Sequence, residues 1–313
     1  MKQFSVATPG AYTTIQDGGR FGFQKMGVPI SGVLDPFAHA AANLLVGNPP
    51  DRAVLEITVM GPKLEILAAA DVALCGADFP VTVNGDPVPG WRSTAVDPGD
   101  VLEIHQVKKG CRGYLAVTGG IDVPEVMGSR STYPGARIGG FAGRPLKAGD
   151  VLPAAGGPRL SGPRQVPESL LPPHSETIRL RAIPGPQDDY FDEGLERLFA
   201  SDYMITAKAD RMGYRLQGPE IPIADGMPES IVSEPSMPGG IQIPADRQPI
   251  ILLVEQTVGG YAKIATVISS DLPKVAQATP GDTVHFARCS IEEAHRLHRA
   301  RQEAIFTLVR LFG

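Results

Sequence analysis

The sequence predicts a mainly β fold with a few helices, and three observations lead to this prediction. The 313 residues include 36 glycines and 30 prolines, which are spread along the chain rather than gathered in a low-complexity tract. Evenly spaced turn residues are typical of many short strands. The segment AVLEITVM alternates apolar and polar residues with the period of a half-buried strand. The segment PVTVNGDPV places Asn84 and Gly85 between β-branched residues, which is a strong hairpin signal.

One short helix is predicted over residues 37–46. Asp35 is a suitable N-cap, Pro36 takes the first helical position and Gly47 ends the helix. We expect Asp35 and Asn43 to be structural residues, with Asp35 as the cap and Asn43 on the helix surface.

The chain is long enough for two domains, each with its own core. A stretch rich in proline, glycine and serine has no hydrophobic period, and residues 161–176 within it are predicted to be a linker. The N-terminal β domain then covers residues 1–160 and the C-terminal β domain covers 177–313. Ser290 and Glu293 form a capping box, which predicts that the second domain ends in an amphipathic helix.

Charge and cysteine content exclude several classes of partner. A net charge of -5 and a pI near 5.7 argue against nucleic acid or an anionic membrane as the main partner. Cys75, Cys111 and Cys289 are odd in number and lack the CxxC spacing, so we expect reduced thiols and no metal site. The sequence has neither an apolar leader nor an apolar run long enough to cross a bilayer, and it is expected to be cytoplasmic.

The run QDGGRFGFQKMGVPISGVLDPFAHAAANLLVGN carries the first group of candidate site residues. Glycines at this density let the backbone approach a ligand closely, and Arg20 and Gln24 are planar hydrogen-bonding groups that would orient it. Arg130 precedes a second glycine-rich loop, whose backbone N–H groups can hold an anion. We therefore predict that Arg20, Gln24 and Arg130 bind substrate. The plainer interpretation is a turn-rich strand crossover.

The C-terminal half carries the second group of candidates. Lys263 follows the Gly259-Gly260 turn and begins an apolar strand, where its compact charge suits a phosphate or carboxylate. Glu234 and Gln256 stand at strand ends and can orient a small amide. Lys263, Glu234 and Gln256 are the predicted catalytic residues. An ordinary ion pair between Lys263 and Glu234 accounts for the pattern equally well, and both interpretations stay open.

Two further candidates come from an internal echo. The segments DGGRFGF and ADRMGYR share the pattern Arg-x-Gly-aromatic, which places Arg211 and Tyr214 in the second copy. Two β domains with one ancestor would produce this echo, and so would chance. We predict that Arg211 and Tyr214 contact substrate.

Several motifs of known enzyme chemistry are missing from the sequence. It has no GxxxxGK[ST] phosphate loop, no HExxH, no GxSxG elbow and no GxGxxG after a strand. It also lacks a Met-Lys-Met biotin attachment site and the Ser/cis-Ser/Lys amidase signature. No covalently attached biotin is therefore expected on this chain.

The opening run, followed by LEITVMGPKLE, resembles the N-terminal signature of the KipA-like family. Members are also called 5-oxoprolinase C subunits, biotin-dependent carboxyltransferase family proteins or allophanate hydrolase subunit 2. ADRMGYRLQGP, IVSEPSMPGGIQIPADRQPIILLVEQTVGGYAKIATVISSDLPKVAQ and PGDTVHF are similar to the C-terminal signatures. The sequence departs from the family at Ala262, where GGYPKIA has proline, and in the loop GARIGGFAGR, where acidic or aromatic residues are commoner.

The resemblance implies tandem cyclophilin-like β-barrel domains and a hetero-oligomer. The implied partners are a KipI-like B subunit and a metal-dependent A subunit. In the assembled complex, this chain and the B subunit would activate 5-oxoproline by phosphorylation with ATP and Mg, and the metal-dependent partner would open the ring to glutamate. The chain would then be inactive alone, and its ligand would be a small lactam or amide. Arg20, Arg130, Arg211 and Lys263 are the cations available for ATP or substrate.

Two alternatives remain at this point. The same domains resemble the carboxyltransferase region of urea carboxylase, which would require a separate biotin protein here. The chain also resembles a regulatory KipA-like module that binds a KipI-like kinase inhibitor and catalyses nothing by itself.

Overall fold

The computed structural model describes residues 1–172 and 177–313, so residues 173–176 of the predicted linker lie outside the described residues. Within these ranges the chain forms two compact units. The first unit comprises residues 1–20, 31–172 and 302–313, and the second comprises 21–30 and 177–301. The units differ from the predicted domains because 21–30 belong to the second unit, and 161–172 and 302–313 to the first.

The strands of the first unit form two sheets, ordered β11-β1-β4-β9-β6-β7 and β2-β3-β10-β5-β8. Their bounds are β1 Lys2–Thr8, β2 Tyr12–Gln16, β3 Val54–Thr58, β4 Lys63–Ile66, β5 Ala70–Asp78, β6 Val81–Val83, β7 Asp86–Val88, β8 Ser93–Val96, β9 Val101–Ile104, β10 Lys109–Val117 and β11 Val151–Pro153. Apolar side chains from both sheets meet in one core, which includes Phe4, Leu64, Ile57 and Leu115. The resemblance implies a barrel in this unit, but its strands pair into two separate sheets that share one core.

The predicted hairpin is confirmed as the β6–β7 pair. Asn84 has φ 54° and Gly85 has φ 89°, and two successive positive φ angles are what a type I′ turn requires. Asn84 also ties the turn to β9, since its Oδ1 accepts a 2.9 Å hydrogen bond from Val101 N.

The predicted short helix is confirmed as α1 (Pro36–Leu45), and the Asp35 side chain accepts a 3.2 Å hydrogen bond from Ala38 N. The expectation for Asn43 is wrong, because this side chain is fully buried rather than on the helix surface. Its Oδ1 accepts a 3.0 Å hydrogen bond from Asn48 Nδ2. The residues of α1 from Phe37 to Leu45 are all buried, so the helix is surrounded by protein on every side. In the sequence, the polar residues at His39 and Asn43 suggest one solvent-facing side.

The second unit contains a closed barrel of seven strands in the described part of the chain, in the order β12-β19-β16-β17-β14-β13-β20. A separate pair of short strands, β15 and β18, completes its β structure. The bounds are β12 Thr177–Pro184, β13 Asp202–Ala209, β14 Gly213–Gln217, β15 Glu234–Pro235, β16 Gly240–Gln242, β17 Ile250–Leu252, β18 Val258–Gly259, β19 Lys263–Val267 and β20 Thr283–Arg288. Strands β12 and β20 run parallel, and the other pairs are antiparallel.

The remaining helices are α2 Glu193–Ala200, α3 Leu272–Ala276 and α4 Ile291–Phe312, with 3-10 turns at Gln24–Met26, Pro134–Ala136, Glu168–Leu170 and Asp188–Tyr190. Glu293 N donates a 3.1 Å hydrogen bond to Ser290 Oγ, so the predicted N-cap of α4 is confirmed. Leu308, near the other end of α4, is buried among residues of the first unit. None of the helices in the described ranges is long and apolar enough to cross a membrane.

Candidate active site

The candidate active site of the second unit is built around Lys263, the first residue of β19. Its side chain is buried, and Nζ lies 2.6 Å from Glu234 Oε1 in β15. The Glu234 side chain is 38% exposed, so one face of this carboxylate reaches solvent while the lysine beneath it does not. A buried ammonium needs a counter-charge, and Glu234 supplies it.

Gln187, in the loop that leaves β12, holds this pair in place. Its Oε1 accepts a 3.0 Å hydrogen bond from Lys263 N, and its Nε2 donates a 3.1 Å hydrogen bond to Glu234 Oε1. The hydrogen bond from Lys263 holds the pKa of Glu234 below its ordinary value, with a further contribution from Gln187. Glu234 is therefore a carboxylate at neutral pH.

Two buried polar atoms beside Lys263 have no hydrogen-bond partner among the described residues. Gln242 of β16 pairs with Lys263 across the sheet, is 5% exposed, and its Nε2 is unpartnered. Ser236 is 4% exposed, and its Oγ is unpartnered as well. A Cβ placed on Gly259 would lie 2.4 Å from Gln242 Nε2 and 3.2 Å from Ser236 Oγ, so both atoms face the same glycine. Buried groups of this kind are uncommon and call for an explanation.

The other predicted residues of the second unit lie elsewhere in it. Among the described residues, the side-chain hydrogen bonds of Lys263 and Glu234 join them to each other and to Gln187 rather than to Gln256. Gln256 lies half-buried between β17 and β18. The side chains of Arg211 and Tyr214 are buried.

Arg211 and Tyr214 are bonded within the second unit. Arg211 Nε donates a 2.6 Å hydrogen bond to Glu255 Oε1, and both side chains are buried. The Tyr214 hydroxyl donates a 3.4 Å hydrogen bond to the carbonyl of Ala278. These contacts favour structural roles rather than the predicted contact with substrate.

In the first unit, Arg20 binds backbone rather than presenting a free cation. The residue is 0% exposed. Its Nε donates a 2.9 Å hydrogen bond to Val126 O, and its Nη2 donates to Ser131 O at 2.8 Å and Ser129 O at 3.4 Å. This geometry favours a structural role for Arg20. Gln24 belongs to the second unit, where it begins a 3-10 turn.

The residues just before the glycine-rich loop, 129–131, bind an anion of the protein itself. Asp17 Oδ2 accepts a 2.5 Å hydrogen bond from Arg130 N, and Oδ1 accepts hydrogen bonds of 2.6 Å from the hydroxyls of Ser129 and Ser131. Arg130 Nη1 donates to Glu125 Oε1 at 2.6 Å. Binding of an anion by the backbone of the glycine-rich loop itself stays a prediction.

The hydrogen bonds to Asp17 lower the pKa of its carboxyl group. Burial by itself would raise the pKa of the carboxyl group, but the hydrogen bonds from Ser129, Ser131 and the backbone N–H groups of Arg130 and Gly19 outweigh it. The pKa of Asp17 lies below its ordinary value, and the folded state therefore holds a carboxylate here.

The first unit also has a cleft of about 550 Å³, which is lined by glycine-rich loops. Its wall includes Gly119, Gly156, Arg52, Arg159 and Arg164. None of the predicted site residues lines it.

Three of the predicted cations contact protein groups in the described part of the chain. Arg20 binds backbone carbonyls, Arg130 pairs with Glu125, and Lys263 pairs with Glu234. No three His, Cys, Asp or Glu side chains of the described residues are grouped as a metal site would need. Each of these three cations has a partner within its own unit, and their assignment to ATP or substrate stays a prediction.

Gln187, Gln242 and Ser236 were missed from the sequence. Gln242 lies in GIQIP, where a polar residue between two isoleucines of a buried strand is a usable signal. Ser236 lies two positions after Glu234, in the segment SEPSMPGG. Gln187 lies in PGPQDD, which has the composition of a plain turn, and no local pattern marks it.

The carboxyltransferase domain family, subdomain A and B, matches residues 26–288 of this sequence. The chain belongs to this carboxyltransferase domain family. The match covers most of both compact units, including all residues of the candidate active site.

Related proteins fall into two groups. The 5-oxoprolinase C subunit of Escherichia coli (strain K12) is 40% identical over 296 residues, 94% of this chain and 93% of that protein. A urea amidolyase of Lachancea kluyveri is 36% identical over 326 residues, which cover 97% of this chain and 18% of that protein. The crystal structure of the K. lactis urea amidolyase matches with a TM-score of 0.93 at 34% identity, covering 98% of this chain and 20% of that one.

These findings confirm the predicted resemblance to the family of 5-oxoprolinase C subunits and the mainly β fold with a closed barrel. The chain matches its E. coli relative over nearly the full length of both, whereas it spans about a fifth of the urea amidolyases.

Proposed function

We propose that this chain is the C subunit of an ATP-dependent 5-oxoprolinase and that it holds the substrate at the Lys263 site. The near full-length match to a C subunit of 5-oxoprolinase supports this proposal. The structural observation that carries it is the buried Lys263–Glu234 pair, which lies beside two unpartnered polar atoms on Gln242 and Ser236. A charged pair that can bind a carboxylate thus lies next to polar groups that can bind an amide.

The chemistry of 5-oxoproline suits these groups. The molecule has a carboxylate and a lactam amide, and a buried lysine binds a carboxylate more strongly than an exposed one because the surroundings screen the charge less. Glu234 forms the ion pair with Lys263 in the structure. Because Glu234 is partly exposed, it is the group that an incoming carboxylate would displace. A lactam is a poor electrophile, so donors placed at its oxygen assist attack by stabilising the charge that develops there.

ATP is assigned in this proposal to the rest of the complex. The arginines predicted to bind phosphate are paired within this chain, so the KipI-like B subunit is proposed to hold ATP and Mg. The metal-dependent A subunit is proposed to open the ring to glutamate. This division of labour leaves the single chain inactive.

The urea amidolyase relatives support a second candidate, the carboxyltransferase component of a urea-type carboxylase. Urea also presents amide N–H and C=O groups, which the same unpartnered atoms would bind. A separate biotin protein would then have to deliver the carboxyl group.

The deciding experiment is co-expression of this chain with the KipI-like and metal-dependent partners, followed by an assay of ATP-dependent glutamate formation from 5-oxoproline. Lys263→Ala is expected to reduce the rate by about 100-fold or more, the usual effect of losing one positioned charge donor. Lys208→Ala, at an exposed lysine, is the matched control. Full activity of Lys263→Ala would remove Lys263 from the site. Carboxylation of urea without turnover of 5-oxoproline would refute the main proposal in favour of the second.

A further inference from the structure

We propose that Gln242 is the specificity-determining residue of this site, and that its carboxamide pairs with the amide of the substrate. The inference rests on the proposed function, because it concerns the part of the substrate that the same site binds. Ser236 is inferred to add a third hydrogen bond. The shared chemistry recognised is an amide whose N–H and C=O point in the same direction.

The position of Gln242 is unusual for a polar side chain. It lies in barrel strand β16 between Ile241 and Ile243, which are both buried, and its amide lies against Gly259 of β18, a strand outside the barrel. An apolar residue of similar size would fill this place without leaving an unmade hydrogen bond. A buried donor without a partner costs free energy, so the structure gains nothing from Gln242 until a ligand supplies an acceptor.

The neighbouring polar groups are already engaged, which separates their roles from that of Gln242. Gln187 bonds to both Lys263 and Glu234, and these two bond to each other. The charged pair therefore suits a carboxylate, while Gln242 retains hydrogen-bonding capacity for an uncharged group. A substrate that carries a carboxylate and an amide would use both.

Geometry favours a lactam or urea over other carbonyl compounds. A primary carboxamide presents its C=O and one N–H side by side. A five-membered lactam ring forces its own N–H and C=O onto one side, and the same holds for urea. The two amides can therefore form a ring of two hydrogen bonds. A lactone has no N–H and forms only one of them.

The backbone of β18 lies against the Gln242 amide, and this contact has a consequence for access. A Cβ on Gly259 would lie 2.4 Å from Nε2, so only glycine permits the observed approach. Strands β15 and β18 pair with each other and with no other strand of the described residues. Moving this short pair aside keeps the strand pairing of the barrel intact and separates Glu234 from Lys263 and Gln187, and it would open the amide to a ligand.

The test uses the assembled complex and compares Gln242→Met and Gln242→Glu with the wild type. Steady-state kinetics are measured with 5-oxoproline and with the lactone of the same ring size and carboxylate. Gln242→Met is expected to raise KM for the lactam by about tenfold or more, with a smaller change in kcat. The preference for lactam over lactone should fall by a similar factor. Gln302→Met, at an exposed glutamine, is the control.

Gln242→Glu keeps the shape of the side chain and loses the N–H, so it provides a second variant if methionine disturbs the barrel. Folded variants that keep the wild-type KM and the wild-type lactam preference would overturn the inference and would indicate a buried water at Nε2. Urea is measured in parallel. Turnover of urea alone refutes the proposed function but supports Gln242 if the variants lose urea. A wild-type complex that turns over neither compound overturns both.

Discussion

Arg181 binds both carboxylate oxygens of Asp271 along one edge of its guanidinium group, with Nε 2.8 Å from Oδ2 and Nη2 2.6 Å from Oδ1. The backbone N–H of Arg181 donates to the same carboxylate at 2.9 Å. Asp271 is fully buried at the start of α3, and Arg181 lies in β12. This bidentate pair joins two elements that are far apart in sequence, and its geometry is the strong form of such contacts.

Asp271→Asn is expected to destabilise the protein by about 3 kcal/mol, because it removes the charge from a buried, hydrogen-bonded pair. Urea unfolding at pH 7 measures the loss. Lys274 also contacts Asp271, but its side chain is half-exposed. Lys274→Ala should therefore cost less than about 1 kcal/mol. Equal losses for the two variants would contradict the assigned importance of Arg181.

Stability should fall at acid pH, and Asp17 should account for part of the fall. Burial opposes ionisation of Asp17 and Asp271, but hydrogen bonds outweigh it, so the pKa of each is depressed in the folded state. A depressed pKa stabilises the fold above the unfolded value of about 4, and this stabilisation is lost as pH falls through the folded pKa. Asp17→Asn should lower the free energy of unfolding at pH 7 and flatten its decline below pH 4. An unchanged slope would argue against Asp17.

Arg20→Lys is expected to lower stability by about 2–3 kcal/mol and to leave KM unchanged in the assembled complex. A single ammonium cannot serve all three carbonyls that the guanidinium binds, and it leaves buried acceptors unpaired. Thermal or urea unfolding and steady-state kinetics separate the two effects. Arg137→Lys, at an exposed arginine, is the control. A raised KM with unchanged stability would restore the predicted role of Arg20 in substrate binding.

Leu308→Ala is expected to cost about 2–5 kcal/mol, the range for a cavity in a packed core. Leu308 is 0% exposed, whereas Leu311, on the same helix, is 52% exposed. Leu311→Ala should therefore change the free energy of unfolding by less than about 0.5 kcal/mol. Similar losses for the two variants would show that α4 is not packed as described.

The sequence predicts local features of this fold well and distant contacts poorly. The β6–β7 hairpin and the Asp35 cap follow from residues within a few positions of each other. The partners of Arg20 lie 106 to 111 residues away, so composition cannot distinguish an internal cation from a substrate-binding one. Gln187 was missed for the same reason, since it lies 76 residues from Lys263.

The contact between Lys263 and Glu234 was predictable because glycines and an apolar strand flank the lysine. The sequence left open whether it is a plain ion pair, and the structure adds the unpartnered atoms of Gln242 and Ser236. Burial of both atoms depends on β15, β16 and β18 meeting in space, which no window of sequence encodes.

The end of α4 has a consequence for synthesis of the chain. Arg164 Nη1 donates to Leu44 O at 2.9 Å and to Phe312 O at 2.5 Å, and thereby completes the carboxyl ends of α1 and α4. The first unit therefore lacks part of its core until residues 302–313 have left the ribosome. Its early strands must wait through translation of the entire barrel, and a chaperone that shields them during this interval would raise the yield of native protein.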